Sequence, residues 1–84
     1  MTKLSEMPNI ARILEQKLME AGINSAEELI TTGSRDAFLR LKTRDNGACF
    51  SMLCAMEGAV RGVRWHDLDC KTKADLKSFY ESVR

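Results

Sequence analysis

The strongest constraint on this chain is the punctuation between Pro8 and Leu29. An amphipathic helix begins, stops at Ala21-Gly22-Ile23, and gives way to a new helix start at Ser25-Ala26-Glu27-Glu28. Proline suits a helix entrance, and Asn9 is expected to cap the free backbone N–H groups behind it. Ile10, Leu14, Leu18 and Ala21 recur at helical spacing and define a stripe for burial. Arg12, Glu15, Gln16 and Glu20 fall largely on the other side, with Met19 exposed among them. Gly22 reads as the left-handed residue that ends the helix, with Ile23 folding back onto it. Ser25-x-x-Glu28 is a capping box, in which each side chain can satisfy a backbone donor. Turns this tight favour short crossing helices over long antiparallel hairpins.

The remaining pattern is also helical. Leu29 and Ile30 are expected to face inward, and Gly33 to end the second helix. Ser34 is placed to cap a third, in which Ala37, Phe38 and Leu41 share a face. Arg44-Asp45-Asn46-Gly47 is the clearest turn, because Asn-Gly favours positive φ. The fourth helix, about Cys49 to Val63, is the most apolar. Its wide stripe of Met52, Ala55, Met56, Ala59, Val60 and Val63 marks a central helix touched by several others. Glu57, Arg61 and Arg64 form its narrow polar strip, with Glu57–Arg61 a favourable i,i+4 pair. Gly58 and Gly62 each cost about 1 kcal/mol of helix propensity; both suit a close backbone approach, with fraying of the helix end the alternative at Gly62. Thr72-x-x-Asp75 resembles a weaker capping box. The last helix carries Leu76, Phe79, Tyr80 and Val83 on one face. The expected fold is all-α, a small orthogonal bundle of about five helices in one domain over residues 1–84.

Composition narrows the function classes. With 44% hydrophobic and 30% charged residues the chain has the make-up of a folded globular domain. A net charge of +1 gives no strong electrostatic footprint for nucleic acid. No apolar run reaches membrane-spanning length, and the first residues lack a signal-peptide core, so a cytoplasmic location and no membrane partner are expected. The three cysteines, Cys49, Cys54 and Cys70, contain no Cys-x-x-Cys pair and read as reduced, buried small hydrophobes. A zinc site adding His66 would have spacings that match no common finger, so no metal or other cofactor is expected. His66 has no nucleophile placed beside it, and Asp67 next to it in sequence does not establish an orienting geometry; no enzyme site or small-molecule substrate is evident.

Two segments stand out as candidate contacts. Arg35, Arg40, Lys42 and Arg44 could form a basic patch on nucleic acid, although Asp36 and Asp45 dilute it and a solvated helix face is the plainer reading. Trp65, with Arg61 and Arg64 close by, has the composition of an interface hot spot; a tryptophan serving as a packing anchor is the plainer reading.

Met7-Pro8-Asn9-Ile10, Leu18-x-x-Ala21-Gly22-Ile23 and Ser25-x-Glu27-Glu28-Leu29, followed by Leu53-Cys54-Ala55-Met56-Glu57-Gly58-Ala59-Val60-Arg61-Gly62 and then Trp65 and Leu68, resemble the C-terminal domain of the TfoX/Sxy family. Their order and spacing carry the match, from about Leu4 to Leu76. The resemblance implies a helix-hairpin-helix-like fold, related to modules of DNA-handling proteins and similar to the C-terminal domain of the RNA polymerase α subunit. It also implies a role in regulating competence genes together with the cyclic-AMP receptor protein. Family members usually carry a separate N-terminal domain; a stand-alone homologue with its own partner is the expectation here. DNA-binding hairpins of this kind use a Gly-hydrophobic-Gly turn, whereas the corresponding triplet here is Asn9-Ile10-Ala11. The helix start with Arg12 still offers N–H groups to a phosphate.

The resulting expectation is a non-enzymatic adaptor in transcription or DNA-related regulation, working on a protein partner through Met19, Arg61, Arg64 and Trp65. The alternative is sequence-independent DNA binding through Asn9, Ile10, Ala11 and Arg12 with Arg35, Arg40, Lys42 and Arg44.

Overall fold

A computed structural model of the chain describes residues 1–44 and 47–83. The turn expected at Asp45-Asn46 lies outside the described residues. Five α-helices and two 3-10 turns make up the rest: a first turn at Leu4–Glu6, α1 at Arg12–Glu20, α2 at Ala26–Thr32, α3 at Ser34–Arg44, α4 at Phe50–Arg61, a second turn at Trp65–Asp67, and α5 at Cys70–Val83. The fold is all-α, as the periodicity indicated. No helix among the described residues is long and apolar enough to cross a membrane.

The helix stops form as their residues dictate. Gly22 takes φ +90°. Ile23 N–H reaches back to the Leu18 carbonyl (2.9 Å) and Gly22 N–H to that of Met19 (3.0 Å), closing a Schellman motif. Ile23 is thereby buried completely. Gly62, left-handed at φ +76°, closes α4 in the same way, with Val63 N–H on the Gly58 carbonyl at 2.9 Å. Ser25 Oγ accepts the Glu28 N–H at 3.2 Å. Glu28 completes the start from one residue further back, accepting the Asn24 N–H at 3.2 Å.

The core gathers Leu4, Leu18, Ile23, Leu29, Phe38, Leu41, Leu53, Met56 and Leu76, all essentially without solvent contact. Each such side chain contributes about 1.5–3 kcal/mol on burial. Helix α4 is central, touching α2, α3, α5 and the second 3-10 turn. Tyr80 of α5 packs tilted against Phe38 and Phe50, with ring centroids 5.9 and 5.5 Å away.

Several local expectations are overturned. Ile30 does not face inward: it is 53% exposed, because α2 buries only Ala26 and Leu29, three residues apart on one side. Ser34 does not cap α3; it is buried, and its hydroxyl donates to Glu57 Oε1 at 2.5 Å. Glu57 is accordingly not part of an exposed strip but 8% exposed, while its i,i+4 partner Arg61 does reach it, Nε to Oε2 at 2.5 Å. At the last helix, Asp69 rather than Thr72 is the capping residue. The Thr72 hydroxyl and N–H hold the Asp69 carboxyl below its usual range, and Thr72 itself is buried. Of the cysteines only Cys54 is buried; Cys49 and Cys70 are exposed. Burial pushes the Cys54 thiol up, against a smaller opposing effect of Lys73.

Candidate interaction surface

The residue that organises the candidate surface is Asn9, and it does not cap α1. It sits before the helix at φ +70°, while Ala11 occupies the capping position with no side-chain hydrogen bond. The Asn9 amide instead crosses to the body and exit of α4. Nδ2 donates to the Val63 carbonyl at 2.9 Å and to the Ala55 carbonyl at 3.3 Å. Oδ1 accepts the Trp65 N–H at 3.1 Å. The close approach suggested by Gly58 is the floor of this contact. A methyl group there would stand 2.5 Å from Asn9 Nδ2, 2.7 Å from the Val63 carbonyl oxygen and 3.2 Å from the Trp65 nitrogen. The Met7–Ile10 segment and the Gly58–Trp65 segment are thus two halves of one joint.

Beyond the joint, the chain turns outward. Trp65 is 42% exposed and is not a core anchor. Its indole stacks on the His66 ring, centroids 4.2 Å apart and planes 26° from parallel. Val63, Arg64 and Arg61 are exposed beside it in sequence, and Lys73 Nζ donates to the His66 carbonyl at 3.2 Å. Behind this surface lies Glu57. Burial pushes its carboxyl up, but the Ser34 hydroxyl, the Arg61 guanidinium and the charges of Arg61 and Arg35 outweigh that, leaving it below its usual range. Arg61 is therefore anchored at one nitrogen. Met19 is 49% exposed on α1, a helix that packs chiefly against α3 and the first 3-10 turn rather than against the α4 exit.

The residues of the DNA-binding alternative are not brought together. Asn9 is engaged with α4, Ile10 is buried, and only Ala11 and Arg12 are exposed at the start of α1. On α3, Arg35 and Lys42 fall on one side and Arg40 and Arg44 roughly opposite, at about 100° per residue. Arg35 lies over the Phe79 ring at 5.8 Å. Arg40 lines a shallow cavity of about 280 Å³ with Met1, Glu27, Glu28 and Thr31. Among the described residues no group of three or more His, Cys, Asp or Glu side chains could hold a metal ion.

Ile13 is 71% exposed on the first turn of α1, as its place off the Ile10–Leu14–Leu18 stripe dictates.

The family model for the TfoX C-terminal domain matches residues 1–80. Protein Sxy of Escherichia coli is 27% identical over 81 residues, a match that spans 96% of this chain and 39% of Sxy. An uncharacterized Listeria monocytogenes protein, solved in a triclinic crystal form, is 50% identical with a TM-score of 0.96 over 98% of this chain and 93% of its own. A tetragonal form described as a Listeria monocytogenes protein of unknown function superposes with a TM-score of 0.95, again at 50% identity, over 98% of this chain and all of the other. With nearly its whole length matched by that model, the chain belongs to the TfoX C-terminal domain family.

Proposed function

We propose that this chain is a non-enzymatic adaptor of the competence-regulator type, acting in transcription through protein contacts made by the Arg61–Trp65 surface. The observation that carries this reading is the exposed Trp65. A large aromatic left out of the core, stacked on His66 and flanked by arginines, has the make-up of an interface anchor. Family membership supplies the regulatory context, and the partner class it points to is a transcription regulator of the cyclic-AMP receptor type or RNA polymerase itself.

Direct DNA binding is the second reading. It is favoured by the start of α1, which has no side-chain cap and carries an exposed Arg12. The two readings separate in one titration series, because Trp65 is the sole tryptophan of this chain and a fluorine placed on its indole reports on that surface whatever tryptophans the partner carries. Addition of the purified regulator or polymerase is expected to shift and broaden the fluorine resonance of Trp65. Duplex DNA alone is expected to bind weakly at low and at physiological salt. Tight DNA binding that falls steeply with salt, and weakens on Arg12→Ala, would replace the adaptor reading.

A further inference from the structure

We propose that Asn9 is the positioning residue of the Trp65–His66 surface: its one amide group grips the exit of α4 and so fixes where Trp65 and Arg64 stand. The inference rests on reading that surface as the contact surface, but the geometry behind it is independent of any partner.

Apart from Asn9, Trp65 is held by the turn itself, whose Leu68 N–H donates to the Trp65 carbonyl at 3.3 Å, and by the packing of that turn on α4. The second 3-10 turn is three residues long, and such a turn does not set a direction by itself. Its aromatic neighbour His66 is itself exposed. The Asn9 amide, by contrast, takes hold of the segment at both ends, donating to the Val63 carbonyl and accepting the Trp65 N–H. A planar amide presenting one donor and one acceptor to residues two apart acts as a short strand would, leaving the intervening Arg64 side chain free. The third bond, to the Ala55 carbonyl, ties the grip to the body of α4.

The residue type is specified by the same geometry. The backbone at φ +70° is tolerated by asparagine better than by most side chains. A longer amide would run into the floor at Gly58, which already lies against Nδ2. An aspartate would keep the acceptor for Trp65 but turn an oxygen toward two carbonyl oxygens at the negative end of α4. A backbone outside its ordinary range persists where the surroundings over-determine it, and here three hydrogen bonds reaching across 46 to 56 residues do so.

The test is amide hydrogen exchange with acrylamide quenching of the tryptophan. In the wild-type chain the side-chain NH2 protons of Asn9 are expected to exchange more slowly than those of exposed Asn24. In Asn9→Gly, which keeps the backbone freedom and removes the grip, the Trp65 amide is expected to exchange at least tenfold faster relative to the core amide of Leu53. Acrylamide quenching should rise with it. Equal exchange of the Asn9 and Asn24 side chains would overturn the proposal without recourse to any variant. So would acceleration of Trp65 and Leu53 by the same factor, which would make Asn9 a general stabiliser only. Neither readout involves a partner, so a failed grip leaves the contact surface standing. Conversely, a Trp65→Ala chain that binds its partner undiminished removes the surface and leaves the grip intact.

Discussion

Replacing Gly58 by alanine tests the joint between Asn9 and the exit of α4, because local and tertiary physics give it opposite signs. In the interior of α4 the substitution should stabilise by about 1 kcal/mol through helix propensity. Against this, the new methyl would meet Asn9 Nδ2 at 2.5 Å, the Val63 carbonyl oxygen at 2.7 Å and the Trp65 nitrogen at 3.2 Å. The last two are backbone atoms. Val63 is itself bound to the Gly58 carbonyl at 2.9 Å, so it cannot retreat without opening the Schellman motif. Overpacking of this kind costs about 1–3 kcal/mol, and displacing the Asn9 amide forfeits hydrogen bonds worth about 1 kcal/mol each. The net loss is therefore about 2–4 kcal/mol, which in a domain this small lowers the melting temperature by upwards of about 10 °C. Thermal and urea unfolding followed by far-UV circular dichroism would measure it. Gly62→Ala is the control: nothing lies within 4 Å of its added methyl, so only the left-handed backbone at φ +76° opposes it, at about 1 kcal/mol. A Gly58→Ala protein as stable as wild type, or more so, would refute the close packing of Asn9 on α4.

Further expectations follow from the buried carboxylate and from α2. Glu57 has its carboxyl held below the usual range, so the stability it contributes is present above its unfolded pKa and lost as pH falls through the lower folded value. Urea midpoints should therefore drop on acidification below about pH 4, and drop less in Glu57→Gln; identical acid limbs would refute the buried pair. At neutral pH the same variant should be less stable by about 1–3 kcal/mol, since it loses charge-assisted bonds from Arg61 and Ser34. Adjacent residues of α2 should behave oppositely. Leu29→Ala, at a fully buried position, should cost about 2–5 kcal/mol, whereas Ile30→Ser should change stability by no more than about 0.5 kcal/mol; comparable losses at both would mean that α2 is rotated from the orientation described.

What could be read from the sequence is what short-range physics determines. The stripe Ile10–Leu14–Leu18, the Schellman turn at Gly22 and the Ser25 cap each need only residues within one or two turns of one another. The misread residues share a different property. Asn9 after a proline looks like a helix cap because a cap needs a short side chain with an acceptor oxygen, and asparagine supplies one; the latch uses that oxygen on Trp65 and adds the Nδ2 donor, on partners 46 to 56 residues away. Ser34 after Gly33 looks like a cap for the same reason, yet its hydroxyl serves Glu57, 23 residues on. Glu57 was assigned to the surface by charge, and burial became affordable only through Ser34 and Arg61 together. For the candidate surface, sequence composition pointed to Arg61, Arg64 and Trp65, but their exposure depends on the α4 exit turning outward. That direction comes from the Asn9 joint, which no local pattern encodes.

The most direct test of the adaptor account is calorimetric binding of wild type and Trp65→Ala to the purified cyclic-AMP-receptor-type regulator or RNA polymerase. Removing a central interface aromatic costs about 2 kcal/mol or more, so the account expects at least a tenfold loss of affinity with the thermal stability of the domain nearly unchanged. Equal affinity of the two proteins, or binding by neither partner alongside tight salt-sensitive binding to DNA, would contradict it.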